Sequence, residues 1–345
     1  MSGLIDMGLD LAAGAARFGW FYGLNQLVER EARLAGQRTR YRPKRPVPTR
    51  QQLLAEMAAL VLADAAAVRD GLYPPSEDGA PALGRQLQRT RAMFQDLPRI
   101  FARRAAGIAD SVRDENGAAE VPDYYAQDFH FQSGGYLSVE SARLYDIQVE
   151  TLFYGAANAM RRTALEPIAQ ALRGRDQRRL ALTDVACGTG RLLRQIRLAW
   201  PALELTGIDL SQPYLDEAAG HLAGLRPARL MRADAAVLPL PAASQDIVTM
   251  VFLFHELPPQ VRRDVTREIA RVLKPGGRLV FIDSLQMGDR AGWDGLLEAF
   301  PVRFHEPYFR HYVTDDLDGM FADAGLTAEH QSLAFLSKVM VRTRS

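Results

Sequence analysis

The sequence has very little cysteine and little histidine. Cys187 is the single cysteine among 345 residues, and the six histidines are scattered along the chain. One cysteine excludes a disulfide framework within the chain, which fits a reducing compartment, and we expect a cytoplasmic protein. No group of cysteines and histidines has the spacing of metal ligands, so the sequence predicts no metal site.

Neither sign of charge is in excess, and no long apolar run is free of charges. The chain has 42 lysines and arginines against 41 aspartates and glutamates, a net charge of +1. Without a basic stripe, a nucleic-acid partner is not expected. The apolar stretch 4–28 contains Asp6, Asp10 and Arg17, which are costly in hydrocarbon, so we do not expect it to span a membrane. The composition is that of a globular protein with one or two domains.

Residues 1–120 are predicted to form a helical region without a recognisable chemical motif. Residues 4–28 have helical spacing; they either pack on the protein or a partner chain, or lie on a membrane surface. Residues 30–50 are basic and proline-rich, which suits a solvated connector or contact with anionic lipid or RNA. Helices are expected at 51–70 and 83–109, the second kinked or split at Pro98. Three roles fit this region: a cap that binds the substrate, a homo-oligomer interface, and a module that docks a partner. Peripheral membrane contact through residues 4–50 is included in the last.

From residue 180 onward, strands and helices alternate as a parallel sheet requires. Strands are predicted at 180–186, 203–209, 228–232, 246–252 and 278–284, and helices at 190–200, 213–224 and 259–273. A glycine of the run Lys274-Pro-Gly-Gly is expected to take the left-handed conformation that ends the last helix. The runs 329–336 and 338–343 are predicted to close the sheet as an antiparallel hairpin. The fold class is therefore α/β.

The turn after the first predicted strand is rich in small residues. Gly188 and Gly190 can adopt a positive φ, so a ligand can lie directly against the backbone there. The helix that follows aims free N–H groups at such a ligand. Nineteen residues after Gly190, a second apolar run ends in Asp209. A carboxylate at that place accepts hydrogen bonds from both hydroxyls of a ribose, which predicts a nucleotide-like cofactor.

Two classes of protein use this arrangement. A dinucleotide site expects a third glycine where Leu193 stands, and it matches poorly. The run D-V-A-C-G-T-G instead resembles motif I of the class I S-adenosylmethionine-dependent methyltransferases. The resemblance continues through the segments around Asp209, Asp234, Asp246, His255-Glu256 and Gly276-Gly277. These segments resemble those of the quinone-biosynthesis methyltransferases. The resemblance implies a seven-stranded Rossmann-like sheet in a methyltransferase domain over 179–345.

The resemblance implies S-adenosyl-L-methionine as the cofactor. The backbone from Ala186 to Gly190 would meet its methionine part, Asp209 its ribose and Asp234 its adenine amino group. Asp184 either touches the ligand or orients the turn, and Cys187 is either a small turn residue or a catalytic thiol. The expected cofactor-binding residues are Asp184, Ala186, Cys187, Gly188, Gly190, Asp209, Leu210, Asp234, Ala235, Val251 and Phe252. Two residues depart from the family pattern, Ala186 in place of the first motif glycine and Gln245 in place of an aromatic residue.

Three segments are expected to meet the acceptor. Residues 121–178 are predicted to link the two halves and to cover the site, or else the run 124–137 is a core-packed aromatic loop. His255 follows the fourth strand, where an imidazole could remove a proton from the acceptor or be structural. Residues 304–312 follow the fifth strand, where this fold builds acceptor walls, or are a packed loop. The candidates are His255, Glu256 and His311 for catalysis, and Gln132, Tyr136, Tyr308 and Arg310 for substrate contact.

These residues together predict methyl transfer to a small, aromatic or hydrophobic molecule. Methyl transfer from a sulfonium is an in-line displacement in which the protein aligns donor and acceptor and excludes water. The sequence lacks the Pro-Cys nucleophile of cytosine methyltransferases and, after the fourth strand, the Pro-Pro-aromatic run of enzymes that methylate nucleic-acid amino groups. The alternatives are a dinucleotide-dependent oxidoreductase and an interaction protein with a vestigial methyltransferase fold.

Overall fold

The computed structural model describes residues 2–37, 41–76, 83–115 and 117–345. The helices, in chain order, are α1 (Ser2–Leu34), α2 (Arg50–Arg69), α3 (Leu83–Ala106), α4 (Val139–Leu152), α5 (Ala157–Arg162), α6 (Leu165–Leu172), α7 (Arg191–Ala199), α8 (Gln212–Leu222), α9 (Pro259–Val272), α10 (Asp294–Arg303), α11 (Phe309–Tyr312) and α12 (Leu317–Asp323). The strands are β1 (Ala181–Val185), β2 (Glu204–Asp209), β3 (Arg229–Arg232), β4 (Gln245–Val251), β5 (Leu273–Ser284), β6 (Leu326–Ala334) and β7 (Ser337–Arg344). Arg38 and Arg40 of the basic segment, and the side chains of Leu4 and Met7, lie outside what the structure describes.

The seven strands form one sheet in the order β3-β2-β1-β4-β5-β7-β6. Strands β1 to β5 are parallel, and β7 runs antiparallel to both β5 and β6. The predicted α/β class, seven-stranded sheet and closing hairpin are confirmed. The strand order reverses between β1 and β4, so the carboxyl ends of β1, β2 and β4 border one crevice, which is where open α/β sheets bind ligands.

The centre of the sheet is the core of the molecule. Leu182, Val185, Ile247, Val248 and Val280 are fully buried. Continuous apolar runs of this kind are typical of parallel strands covered by helices on both faces. The core therefore holds the strand ends of the crevice in fixed positions.

Two strand boundaries differ from the sequence prediction by three residues or more. β5 begins at Leu273, which pairs with Gln245, before the predicted start at residue 278. Gly276 has the predicted left-handed conformation, with φ +74°, but it lies within β5 and does not end α9, which stops at Val272. β6 begins at Leu326 rather than at residue 329. The prediction missed this start because β6 is an edge strand whose residues 327–332 are exposed and mostly polar. An exposed edge strand lacks the apolar alternation from which strands are predicted.

The N-terminal helices pack on one another and on α4. Phe21 and Leu24 of α1 are buried against Met93, Leu144 and Ile147, so this part of the amphipathic helix packs on the protein. α3 continues through Pro98, so the helix is not split there, and the alternative of a kink at that proline stays a prediction. Among the described residues, only α2 is long and apolar enough to cross a membrane, a criterion that core helices of soluble proteins also meet.

Residues 41–49 of the basic segment form a strap attached to α10, whereas residues 30–34 belong to α1. The Glu298 carboxylate accepts hydrogen bonds from the Tyr41 hydroxyl and from the backbone N–H groups of Lys44 and Arg45. The Gly295 N–H donates to the Pro46 carbonyl at 2.9 Å. The strap therefore joins the N-terminal helices to the half of the chain that carries the sheet.

Ion pairs also cross the predicted boundary at residue 120. Arg162 of α5 is 2% exposed and lies 2.7 Å from Asp64 of α2. Arg17 of α1 lies 2.8 Å from the carboxylate of Glu150 in α4. The division into 1–120, 121–178 and 179–345 stays a prediction, and these contacts pack the first two parts closely together.

Candidate active site

A cleft with about 700 Å³ of empty space, open solvent included, lies at the carboxyl ends of β1, β2 and β4. The sheet provides one side of the cavity, and the segment before β1 provides the other. Its lining comprises Tyr124, Tyr125, Tyr136, Tyr145, Ala186, Gly188, Ile208, Asp209, Leu210, Tyr214, Ala233, Asp234, Ala235, Val251, Phe252, Leu253, Glu256 and Leu257.

The turn after β1 has left-handed backbone conformations. Ala186, Gly188 and Gly190 have φ values of +56°, +53° and +72°. Ala186 and Gly188 line the cavity, and a side chain added at Gly188 would point into open space. Gly190 lies outside the lining; a Cβ there would be 2.8 Å from the Cβ of Ala218 in α8. Gly188 thus leaves room for a ligand, whereas Gly190 lets two helices approach closely.

Asp209, at the end of β2, is fixed by backbone amides. The Gly188 N–H donates to Oδ2 at 2.8 Å, and the Ser211 N–H donates to Oδ1 at 2.9 Å. Burial raises the pKa of Asp209, and these two hydrogen bonds act against the rise. Each carboxylate oxygen keeps a further lone pair. The residue can therefore accept hydrogen bonds from two vicinal hydroxyls.

Asp234 follows β3 and lies on the same wall of the cavity. The Ala236 N–H donates to Oδ1 at 2.8 Å, and the Tyr124 hydroxyl donates to the same oxygen at 3.2 Å. Because both contacts fall on Oδ1, Oδ2 can accept a hydrogen bond from an amino group. Leu210 and Ala235 line the cavity beside the two aspartates and supply apolar surface for a ring.

Asp184 and Cys187 lie behind the turn, outside the lining. Asp184 is 2% exposed and accepts a hydrogen bond of 2.6 Å from the Thr249 hydroxyl. Cys187 is buried with Leu193 and Leu215, and burial raises the pKa of its thiol. The position of Asp184 suits a residue that orients the turn. The position of Cys187 suits a small residue that fills space, and it does not support a catalytic thiol.

Glu256 is the carboxylate at the far end of the cavity. The Tyr136 hydroxyl donates to its Oε1 at 2.5 Å. Burial, and then the nearby charge of Glu306, raise the pKa of Glu256 to about 7. Tyr136 and Glu256 both line the cavity, so the structure brings these two predicted residues together.

His255 lies behind Glu256 and does not line the cavity. Its Nδ1 is 2.5 Å from Oδ1 of Asp283, whose other oxygen accepts the Phe254 N–H at 2.7 Å. Burial lowers the pKa of His255, but the Asp283 carboxylate more than offsets this and raises it to about 10. A charged imidazole cannot accept a proton. This arrangement supports a positioning role and gives the predicted role as base no support.

A second histidine lies beside Glu256. Nε2 of His130 is 3.0 Å from Oε1 of Glu306 and 3.9 Å from Oε1 of Glu256. The Glu306 side chain has no exposed area. Sequence reasoning missed His130 and Glu306 as site residues, although both lie in the two runs, 124–137 and 304–312, that it had singled out.

The other predicted acceptor contacts lie outside the lining. Gln132 is buried and accepts a hydrogen bond from the Ser141 hydroxyl at 2.6 Å. The Tyr308 hydroxyl accepts from Gln127 Nε2 at 2.8 Å. The His311 ring is half exposed, with Nδ1 2.6 Å from a guanidinium nitrogen of Arg262. Arg310 is exposed.

Four of the five tyrosines that line the cavity were not predicted. Tyr124 and Tyr125 belong to the aromatic run before β1, so a signal for them was present. Tyr145 and Tyr214 lie in α4 and α8, where nothing in the helical spacing sets them apart. The ring centroids of Tyr125, Tyr145 and Tyr214 lie 5.9, 6.2 and 5.4 Å from that of Tyr136, so these four rings form one aromatic wall.

Comparison with known proteins agrees with this geometry. The family described as methyltransferase domain matches residues 182–277. The demethylmenaquinone methyltransferase of Thermotoga maritima is 33% identical over 167 residues, which are 48% of this chain and 68% of that protein. The chain belongs to the class I S-adenosylmethionine-dependent methyltransferases. The methyltransferase is related to the quinone-biosynthesis group, and its cofactor is S-adenosyl-L-methionine.

The similarity is confined to part of each protein. The demethylmenaquinone methyltransferase of Thermus thermophilus is 35% identical over 146 residues, 42% of this chain and 62% of that protein. The methyltransferase thus spans about six-tenths of the length of the curated relatives that it matches. A crystal structure of a methyltransferase from Aquifex aeolicus, at 20% identity and a TM-score of 0.37, covers 48% of this chain and 82% of that chain.

Proposed function

We propose that the methyltransferase transfers a methyl group from S-adenosyl-L-methionine to a small hydrophobic aromatic molecule of the quinol type. The proposal rests on the observation that the two ends of one cavity carry different polar groups. Asp209 and Asp234 lie at the end formed by β2 and β3, and Glu256 lies beyond β4. The relatives named demethylmenaquinone methyltransferases support a quinone-like acceptor.

The cofactor end fits an adenosine that carries an amino-acid chain. Asp209 would hold the ribose hydroxyls, and Asp234 would accept from the adenine amino group. The open space beside Gly188 would receive the methionine part. When bound, the cofactor supplies an electrophilic methyl group, so the protein does not need a nucleophile of its own.

The acceptor end holds and orients the group that receives the methyl. The tyrosine wall supplies flat apolar surface for an aromatic ring. The carboxylate of Glu256, held by the Tyr136 hydroxyl, can accept a hydrogen bond from a hydroxyl of the acceptor. In a displacement of this kind, the main task of the protein is to hold the reacting atoms in line. This accelerates the reaction because two bound reactants no longer have to meet and orient by diffusion.

The two alternatives have less support. A dinucleotide-dependent oxidoreductase would need close helix–strand packing at a third glycine, where Leu193 stands. An interaction protein with a vestigial fold would not need an Asp209 carboxylate fixed by two amides. The scarcity of cysteine supports the further proposal that the protein acts in the cytoplasm.

Isothermal titration tests the cofactor end. We expect the protein to bind S-adenosyl-L-methionine and not NADH. Asp209→Asn and Asp209→Ala should each weaken binding about 100-fold, because hydrogen bonds to a charged group contribute about 1.5–3 kcal/mol each. The matched control is Asp216→Ala, an exposed aspartate on α8.

The same titration distinguishes the alternatives. NADH binding without S-adenosyl-L-methionine binding would replace the proposal with the oxidoreductase, and binding of neither would favour the scaffold protein. Methyl transfer to a demethylmenaquinol analogue, followed by mass spectrometry, tests the acceptor class. Transfer to no quinol, together with tight cofactor binding, would contradict the acceptor class alone.

A further inference from the structure

Three side chains converge beside the acceptor end of the cavity. One nitrogen of His130 and one carboxylate oxygen each of Glu256 and Glu306 lie within 4.8 Å of one another. They come from three separate elements of the fold: the segment before α4, the segment after β4 and the segment after α10. We propose that His130, Glu256 and Glu306 bind a divalent metal cation.

The contact between His130 and Glu306 is short but lacks the geometry of a hydrogen bond. Oε1 of Glu306 lies 3.0 Å from Nε2 of His130, yet neither oxygen of Glu306 has a hydrogen-bond partner among the described residues. At this distance an aligned ring N–H would form a hydrogen bond, so Oε1 lies off the axis of that nitrogen. Ligands of one cation approach each other in this way because each points at the metal.

Burial and charge also call for a cation. The side chain of Glu306 is fully buried, and those of Glu256 and His130 are 13% and 18% exposed. A buried carboxylate without hydrogen bonds is costly unless a positive charge or a metal compensates it. Nε2 of His255 lies 3.8 Å from Oε1 of Glu256, but Nδ1 of the same ring is paired with the carboxylate of Asp283. Glu256, Glu306 and Asp283 therefore share two imidazoles, and the carboxylates of Glu256 and Glu306 exceed the positive charge that His130 can supply. One divalent cation would balance both carboxylates.

The donor set indicates the class of metal. One imidazole nitrogen and two carboxylate oxygens suit Mn²⁺, Fe²⁺ or Zn²⁺. The surroundings hold two of the three ligands in place: the Tyr136 hydroxyl donates to Glu256 at 2.5 Å, and the His130 backbone N–H donates to the His305 carbonyl at 3.2 Å. Such supporting hydrogen bonds are typical of metal sites. The sequence predicted no metal site because residues 130, 256 and 306 have no short spacing.

The site opens to the acceptor through Glu256, the one of the three that lines the cavity. A cation there would have coordination positions left for an oxygen of the acceptor and would favour its ionised form. This use of the cation depends on the proposed function. Binding of the cation does not depend on it.

Titration of the metal-free protein with MnCl₂ and with ZnCl₂ tests the site. We expect one equivalent of at least one of these cations to bind. His130→Ala and Glu306→Gln should weaken that binding by at least about 100-fold, since even outer-shell changes cost 10–100-fold. The matched controls are His330→Ala and Glu204→Gln, in which exposed residues are replaced.

The variants also need a test of folding and of the cofactor site. Circular dichroism should show folded variants, and their affinity for S-adenosyl-L-methionine should match that of the wild type. Glu306→Gln keeps the size of the side chain and removes a buried charge, so it should fold even if His130→Ala does not. The inference is overturned if the wild type binds neither cation saturably, or if folded Glu306→Gln binds like the wild type. Cation binding without cofactor binding would leave this inference standing and overturn the proposed function.

Discussion

At the scale of single residues, Asp184 is a carboxyl group that the fold keeps away from water. It lies in β1, accepts a hydrogen bond from the Thr249 hydroxyl and does not contact the cavity. Burial raises its pKa to about 7. Because the pKa of an unfolded aspartate is about 3.9, the folded state binds this proton more tightly than the unfolded state. The contribution to stability is thus complete below about pH 4 and is lost as the pH rises towards 7.

Asp184→Asn should remove this dependence on pH. The variant should be more stable than the wild type at pH 8, by about 2–4 kcal/mol, and should lose that advantage at pH 4, since each pKa unit corresponds to about 1.4 kcal/mol. Urea denaturation at the two pH values measures the difference. Asp216→Asn, at an exposed position, serves as control. A constant difference between variant and wild type at both pH values would contradict the prediction.

Individual site residues could be predicted only where the backbone itself forms the site. Gly188, Asp209 and Asp234 stand at fixed places after strands, so motif spacing located them. His130 and Glu306 are 176 positions apart in sequence and meet only because the segment before β1 folds over the strand ends. That path has no periodicity, so the sequence revealed aromatic and polar runs there without showing which members face the cavity.

At the scale of elements, the unit formed by β1, the turn and α7 depends on close helix packing. Gly190 has φ +72°, and a Cβ there would lie 2.8 Å from Ala218. Gly190→Ala should therefore destabilise the protein by about 2–4 kcal/mol, from the left-handed backbone and from overpacking. It should also weaken cofactor binding, because the turn would shift.

The control for that substitution lies on the facing helix. Gly220 of α8 has ordinary helical φ, and a Cβ there meets nothing within 4 Å. Gly220→Ala should be neutral or stabilising by about 0.5–1 kcal/mol. Urea denaturation of both variants measures the two effects. Equal stability of Gly190→Ala and Gly220→Ala would show that the approach of α7 and α8 does not depend on glycine.

Helices and strands could be predicted where their burial produces a run or a periodic pattern of apolar residues in the sequence. The buried parallel strands read as apolar runs bounded by turns, so their positions were predicted within a few residues. β6 is exposed along most of its length, and its start was missed. Of the two expectations for Pro98, a split or a kink, the split is excluded because α3 continues through the proline, although proline lacks the backbone N–H of a helical hydrogen bond.

At the scale of the whole molecule, the N-terminal half, which here means the residues before β1, covers the site. The Thr189 hydroxyl donates to Asp146 of α4 at 2.7 Å, which fixes the helix above the glycine turn. The Ser211 hydroxyl donates to the Tyr136 carbonyl at 2.5 Å, which fixes the aromatic run above β2. Elements that precede β1 in the chain are therefore held over the strand ends that border the cavity.

That half also carries exposed apolar side chains. Leu27 and Leu34 of α1 are 46% and 71% exposed and, seven residues apart, lie on one face of the helix. The exposed basic residues Arg30, Arg33 and Lys44 lie nearby along the chain, together with the exposed acidic residues Glu29 and Glu31. An apolar helix face next to basic residues is typical of proteins that bind anionic membranes. Peripheral membrane contact would bring the protein to a quinol dissolved in the bilayer, so we propose it together with the acceptor class.

Cosedimentation with lipid vesicles tests this contact. The wild type should bind vesicles that contain phosphatidylglycerol and bind pure phosphatidylcholine less, since the basic residues contribute about 1 kcal/mol each near an anionic surface. Leu27→Glu combined with Leu34→Glu should lower the bound fraction several-fold. Val237→Glu, which changes an apolar residue that is 71% exposed on the sheet-bearing half, should leave it unchanged. If the leucines instead join two copies of the chain, the wild type will sediment as a dimer, the double variant as a monomer, and neither will bind vesicles.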